Sequence, residues 1–289
     1  MRAAAGLSER ATGISARRTL PQWQAGGAGQ LRRLANECAA SNTGGREVVL
    51  LPDTFDIWFE PGNLVAAADV LRAAGYKVNV AMPDNGRPLC CGRTYLAAGM
   101  VEQAREEAQR TLDVIAPYAS AGMPVIGIEP SCLFGFRDEI PNLLAGQKAS
   151  AVCNRAVTLA QFIAAEQRAG TWQLNFTSAP FARALVHGHC HEKSFDAFAD
   201  VLSVLQMIPG LEVETVQSSC CGMAGAFGYC AEHYETSMRM AEADLLPAVR
   251  AADADTVIVA DGTSCRHQIA DGAQRHAEHL AQVLAACIG

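Results

Sequence analysis

The sequence has little charge, few aromatic rings and no long apolar run, and each shortage removes a class of function. Only 18% of its residues are charged, with 23 Lys and Arg against 30 Asp and Glu, and 6% are aromatic. That balance, a net charge of −7, supplies neither the basic surface nor the stacking platform that nucleic acids need, so no nucleic-acid partner is expected. No apolar stretch reaches the roughly 18 residues of a transmembrane segment. Arg17-Arg18 has the look of a twin-arginine export signal, but Thr19-Leu20-Pro21-Gln22-Trp23-Gln24 stands where an apolar segment of about 7 to 15 residues is required, so export is rejected. Also missing are the Cys-x-x-Cys-x-x-Cys run of a ferredoxin and a glycine-rich nucleotide loop after the first strand.

What is present is a hydrophobic half and an unusual number of thiols. At 289 residues, 50% of them hydrophobic, the chain can bury a sizeable core in two domains or one duplicated unit. Eleven cysteines are an odd number in a chain too large to need disulfide staples. Thiol or metal chemistry in a reducing compartment, the cytoplasm, is the expectation.

The apolar pattern predicts alternating strands and helices. Residues 1–45 read as an N-terminal arm around a short helix near 29–40. In a first lobe, 46–139, Val48 to Leu51, Lys77 to Ala81 and Pro124 to Ile128 are strands, with helices from Pro61 to Ala74 and around Val101 to Ile115. A mostly helical connector, 140–180, leads to a second lobe, 181–289. There, strands at Ala184 to Val186, Leu211 to Val216 and Thr256 to Ala260 alternate with helices at Ser194 to Leu205 and from Tyr234 to Val249. The predicted class is α/β: two duplicated Rossmann-like lobes with parallel sheets, related by a pseudo-two-fold, with ligands at the carboxyl ends of the strands.

The cysteines follow the repeat. Cys90-Cys91-Gly92 and Cys220-Cys221-Gly222 each come after a lobe's second strand, and a single cysteine, Cys132 or Cys265, follows 41 or 44 positions beyond the pair's second member. Cys190 ends the first strand of the second lobe, whereas Asp53 is read at that strand end in the first. Thiolates are soft anionic ligands suited to iron–sulfur clusters or zinc, and neighbouring Cα atoms about 3.8 Å apart let a vicinal pair serve one compact centre. Buried thiols and a strained vicinal disulfide are the competing readings. Cys38, Cys153 and Cys287 read as simple burial, and Cys230 is left out of the set. His187-Gly188-His189-Cys190-His191 raises the zinc possibility; His191 is a candidate to tune a cluster by a hydrogen bond, and Arg266 to neutralise its charge.

These residues resemble the twin-CCG cysteine-rich domain of heterodisulfide reductase B subunits, of iron–sulfur subunits of glycolate and lactate oxidases, and of anaerobic glycerol-3-phosphate dehydrogenase. More narrowly, Pro52-Asp53-Thr54-Phe55, Leu89-Cys90-Cys91-Gly92, Glu129-Pro130-Ser131-Cys132, His189-Cys190-His191, Cys220 to Gly225 and Asp261 to Arg266 look like the C-terminal iron–sulfur region of FAD-linked D-2-hydroxyacid (D-lactate or D-2-hydroxyglutarate) dehydrogenases. The broad family carries a Cys-x-x-Cys where this chain has Glu129 and Gly262, which argues against a five-cysteine noncubane cluster. The resemblance implies a 4Fe-4S cluster on Cys190, Cys220, Cys221 and Cys265. Asp53, Cys90, Cys91 and Cys132 could hold a second cluster with one carboxylate ligand, a zinc, or nothing.

The function so implied is that of an electron-transfer subunit or domain with no catalytic residues of its own. FAD would sit only on a dehydrogenase partner, and electrons would pass to a quinone or soluble carrier. Such a chain would be cytoplasmic, or peripheral on the inner membrane through its partners. A zinc-stabilised scaffold domain is the alternative, and a thiol–disulfide enzyme acting through Cys220 and Cys221 a third reading.

Overall fold

Val48 to Leu51 show how the chain divides its core. Val48 and Leu50 point into one apolar cluster and Val49 and Leu51 into another, the two-residue alternation of a strand covered on both faces. The computed structural model describes residues 9–41, 44–83 and 87–289. It is an α/β protein built on two parallel sheets. The first has β1 (Glu47–Leu51), β2 (Lys77–Val80), β3 (Val125–Gly127) and β4 (Ala156–Thr158) in the order β2-β1-β3-β4. The second has β5 (Arg183–Val186), β6 (Glu212–Thr215) and β7 (Val257–Val259) in the order β6-β5-β7. Every neighbouring pair runs parallel, and Leu50 aligns with Ile126 as Val186 aligns with Val259.

The larger cluster joins the halves. Leu50 and Ile126 of the first sheet and Val186 and Val259 of the second share it with Leu205 and Leu284. Helices Pro61–Ala73 and Leu280–Ala285 pack on each other within it, and they meet so closely that a Cβ on Gly62 would lie 2.9 Å from Gln282 Nε2. Proline at the first helical position suits Pro61, where the missing N–H would have no partner.

Five strands run nearly straight into helices: Leu159–Arg168 follows β4 directly, and four other helices follow their strands after two or three residues. Those beginning at Thr54, Pro130, Cys190 and Thr263 follow β1, β3, β5 and β7. Their N-termini, positive ends of the helix dipole, therefore gather at the carboxyl edges of the sheets.

Three features depart from the sequence pattern. Residues 140–180 are not helical throughout: Ala156–Thr158 is a strand, too short to show its period, and it extends the first sheet. The helix expected over 194–205 begins only at Phe198, as Phe198–Leu205, and a separate helix, Cys190–Ser194, precedes it, the two parted at Asp196 with its left-handed φ of 54°. The helix expected over 234–249 breaks at Asp244, whose φ is −144°. The helix near 29–40 is present as Gly27–Ala40. Ahead of it the arm crosses to the second half, where Ile14 bridges Cys230 and the buried Arg18 binds Gly228 O, Gln268 Oε1 and Ser237 Oγ at 2.7, 2.6 and 2.8 Å. Arg18, half of the apparent export motif, is thus fixed in the fold. Among the described residues no helix is long and apolar enough to cross a membrane.

Candidate metal centre

In the second half, four thiols meet. Cys190 opens its helix, Cys265 is the third residue of Thr263–Ala273, and Cys220 and Cys221 lie in the loop after β6. Each is a hydrogen-bond neighbour of the next, in the order Cys190, Cys220, Cys221, Cys265. The glycine that follows the pair is a backbone requirement. Gly222 has a φ of +82°, and a Cβ on it would fall 2.3 Å from Ser237 O. In that conformation its N–H points at Cys220 Sγ, 3.3 Å away.

The thiols differ in their hold on the proton. Contacts from Cys190 and Cys221 bring Cys220 down to about 2. Cys265 is also held well below the ordinary thiol range, by Cys221 and by His187 and His189, against the effect of burial. Cys190 and Cys221 are pushed up, by the neighbouring sulfurs first and by burial second. Lowered and raised thiols therefore alternate along the row, and a bound cation would favour the thiolate at each.

His187 does not stand out from the run of histidines in the sequence, and the fold is what separates it. It is 1% exposed, and its ring nitrogen lies within 4.8 Å of the sulfurs of Cys221 and Cys265, with all three donor atoms mutually within that distance. His191, by contrast, turns its Nε2 to Arg93 of the first half at 3.2 Å. A guanidinium only donates, so the proton of His191 sits on Nδ1. Burial, then His189 and Arg93, lowers its pKa to about 4, so the ring is neutral near pH 7.

Arg266 is committed elsewhere. Its Nε is 3.0 Å from Glu60 Oε1, Nη2 pairs with Glu60 Oε2, and Nη1 donates to the carbonyls of Ala260 and Asp261 at 2.8 Å each. Its charge is balanced by Glu60, which burial pushes up but which Arg266 holds below the usual carboxylate range. Glu129 and Gly262, standing where the broader pattern has cysteine, both cap helices at the junction of the halves. Glu129 Oε2 accepts the N–H of Thr263 from the other half at 2.9 Å. A Cβ on Gly262 would strike the His189 ring at 2.3 Å.

The first half builds the same loop with fewer sulfurs. Gly92 has a φ of +80°, its N–H is 3.5 Å from Cys90 Sγ, and a Cβ there would meet Ala104 O at 2.6 Å. Cys90, Cys91 and Cys132 are successive neighbours, and the Thr54 side chain touches Cys90. Here all three thiols are pushed up. Cys91 and burial raise Cys90, Cys132 and burial raise Cys91, and Cys132 reaches about 12 because burial, Asp53 and Glu129 outweigh its contact with Cys91.

Asp53 does not stand at the place of Cys190. It is the buried N-cap of Thr54–Trp58, with Oδ1 accepting from Phe55 N and Asp56 N at 2.8 and 3.2 Å, the position His189 holds before Cys190. The residue in the position of Cys190 is Thr54. Burial first, and then Glu129, leave Asp53 raised against the hydrogen bonds from Asp56 and Phe55 that lower it, and Asp56 is raised well above its ordinary value by burial and Asp53. Away from both centres, Cys38 and Cys287 are buried, while Cys153 and Cys230 are half-buried with their thiols on the carbonyls of Arg137 and Ala226.

Comparison with known proteins matches these loops. The CCG cysteine-rich domain model matches residues 184–270, which include all four second-half thiols and His187. A subunit of anaerobic glycerol-3-phosphate dehydrogenase from Escherichia coli K12 is 30% identical over 292 residues, covering 96% of this chain and 69% of that protein. D-2-hydroxyglutarate dehydrogenase from Pseudomonas putida is 28% identical over 248 residues, 83% of this chain but 22% of its own length, and the Escherichia coli K12 enzyme is 24% identical over 231 residues. The chain belongs to the CCG cysteine-rich family that includes this glycerol-3-phosphate dehydrogenase subunit.

Proposed function

We propose that this chain is an iron–sulfur electron-transfer subunit or domain of a flavin-linked dehydrogenase, made of two duplicated Rossmann-like lobes with the working centre in the second. One observation carries the reading: four thiols from three separate loops of the matched region adjoin one another, two of them driven toward the thiolate. Cys190, Cys220, Cys221 and Cys265 would hold the group, a 4Fe-4S cluster. When bound, it supplies one-electron redox chemistry between a reduced flavin and an acceptor. This chain's own residues set its surroundings. The Gly222 N–H donates to Cys220 Sγ, which favours the charged sulfur, and the walls bury Cys221 and Cys265 to 4% and 1% exposure.

Relatives named as a glycerol-3-phosphate dehydrogenase subunit and as a D-2-hydroxyglutarate dehydrogenase support a dehydrogenase partner or domain, which would bear the FAD and oxidise a 2-hydroxyacid or glycerol phosphate. Electrons would leave to a quinone or a soluble carrier, with the chain in the cytoplasm or peripheral on the inner membrane. For the first half, Cys90, Cys91 and Cys132 would offer three sulfurs and Asp53 a nearby carboxylate, a poorer set than the second. A zinc-stabilised scaffold is the second reading, favoured by the imidazole of His187 beside two thiols.

Anaerobic purification with iron, sulfide and zinc analysis and a visible spectrum separates the two. The expected protein is brown, contains iron and sulfide, and bleaches on reduction. A colourless protein with stoichiometric zinc would replace the electron-transfer reading with the scaffold.

A further inference from the structure

Among the buried polar atoms beside the second-half centre that lack a hydrogen-bond partner, one belongs to an imidazole next to the thiols. His187 Nε2 has no hydrogen-bond partner, although the side chain is fully enclosed. Its other nitrogen, Nδ1, lies 2.8 Å from Ser218 Oγ. An unpartnered ring nitrogen in a dry site costs roughly 1–3 kcal/mol unless something takes its lone pair or proton. A ring nitrogen of His187 and the sulfurs of the buried Cys221 and Cys265 lie within 4.8 Å of one another, and the imidazole is a hydrogen-bond neighbour of Cys265.

The structure is specific about this imidazole. His187 stands three residues before the helix that Cys190 opens, and its backbone N–H donates to Val259 O at 2.9 Å, so the ring is carried on the strand edge itself. In the first half the residue three before the helix start is Leu51, which is buried in an apolar cluster. The half with the fuller thiol set therefore also has an imidazole where the other has a hydrocarbon. Ser218 can accept the Nδ1 proton, which leaves the lone pair on the unpartnered Nε2 available to a metal. An outer oxygen that fixes the tautomer of a ligating imidazole is a recurring arrangement at metal sites.

We propose that His187 is a ligand of the second-half metal centre, so that this centre has a mixed donor set of cysteine sulfurs and one imidazole. The inference rests on the reading that this site binds metal. It deepens that reading and amends it at one point: a four-ligand cluster that holds His187 takes three of the four cysteines, and replacing a thiolate by neutral imidazole removes negative charge from the ligand set and, in an iron–sulfur centre, raises the reduction potential.

The test is X-ray absorption at the edge of whichever metal elemental analysis finds in the full chain purified anaerobically. Wild type is compared with His187→Leu, the residue type the first half carries, and with His187→Cys. A light scatterer at about 2.0–2.1 Å, with imidazole outer-shell features, is expected in wild type. It should vanish in His187→Leu and give way to sulfur near about 2.3 Å in His187→Cys, so the proposal stays testable even if His187→Leu fails to fold. Ser218→Ala should keep the scatterer and lose metal to a chelator about 10- to 100-fold more readily. A sulfur-only shell that is the same in wild type and His187→Cys would overturn the proposal while leaving the metal-site reading intact. A wild-type chain whose metal content is unchanged by Cys221→Ser would overturn both.

Discussion

In both cysteine loops a glycine with φ near +80° follows the pair and turns its amide toward the first sulfur, yet a fourth thiol joins only in the second half, at Cys190, where the first half has Thr54. The difference extends to charge. Cys220 and Cys265 are driven toward thiolate, while Cys90, Cys91 and Cys132 are all pushed up, the last with Asp53 and Glu129 among the causes. One backbone plan thus carries two donor sets. On the proposed reading, the glycines and helix starts would define where ligands can stand, and the side chains at Leu51 and Thr54, or at His187 and Cys190, would decide whether they are there.

Moving the donors is the strongest way to break this comparison. Leu51→His with Thr54→Cys gives the first half the second's donor types, and the account expects about one additional metal centre per chain by elemental analysis. No gain would mean that the backbones are less alike than their dihedral angles.

Next in size is the pair at the junction. Arg266→Ala removes a buried guanidinium and leaves the half-buried Glu60 carboxylate and the carbonyls of Ala260 and Asp261 without it, and should cost about 3–5 kcal/mol in urea unfolding, whereas Arg93→Ala, whose side chain is about a third exposed, should cost less than about 1 kcal/mol. Equal losses would show that Arg266 is not held as described.

Gly92→Ala and Gly222→Ala each combine a left-handed backbone with a clash against a carbonyl oxygen. Each should therefore lose about 3 kcal/mol, and by similar amounts, because the halves share this feature. A large loss in one half only would break the equivalence of the loops.

The smallest effect is one of pH. Glu60 has a folded pKa below its unfolded value of about 4.3. Its pairing with Arg266 therefore contributes fully above that value and is lost as pH falls through the lower folded pKa. The stability gap between wild type and Glu60→Gln should be flat from about pH 6 to 7 and narrow toward about pH 3, measured by urea midpoints.

The main plan is legible in the sequence because it is repetitive. Short runs of Val, Leu and Ile mark the strands, and two Cys-Cys-Gly triplets mark the loops, since thiol pairs and left-handed glycines have few other uses. The details that escape depend on a single residue of offset or on long-range contact. Counting from a strand end matches Asp53 to Cys190, but the cap residue intervenes and shifts the match to Thr54. In sequence His187 is one histidine among several, and only the fold shows which ring turns inward. Arg266 beside Cys265 suggests charge compensation of a cluster, yet Glu60, some 200 positions away, takes its guanidinium. The strand Ala156–Thr158 is too short for its period to register.

The central claim is that the second-half thiols hold a redox-active metal. Iron and sulfide per chain, measured anaerobically in wild type, Cys91→Ser and Cys221→Ser, test it directly. The account predicts that Cys221→Ser loses most or all of both while Cys91→Ser keeps most of both; iron retained at the wild-type level in Cys221→Ser would contradict it.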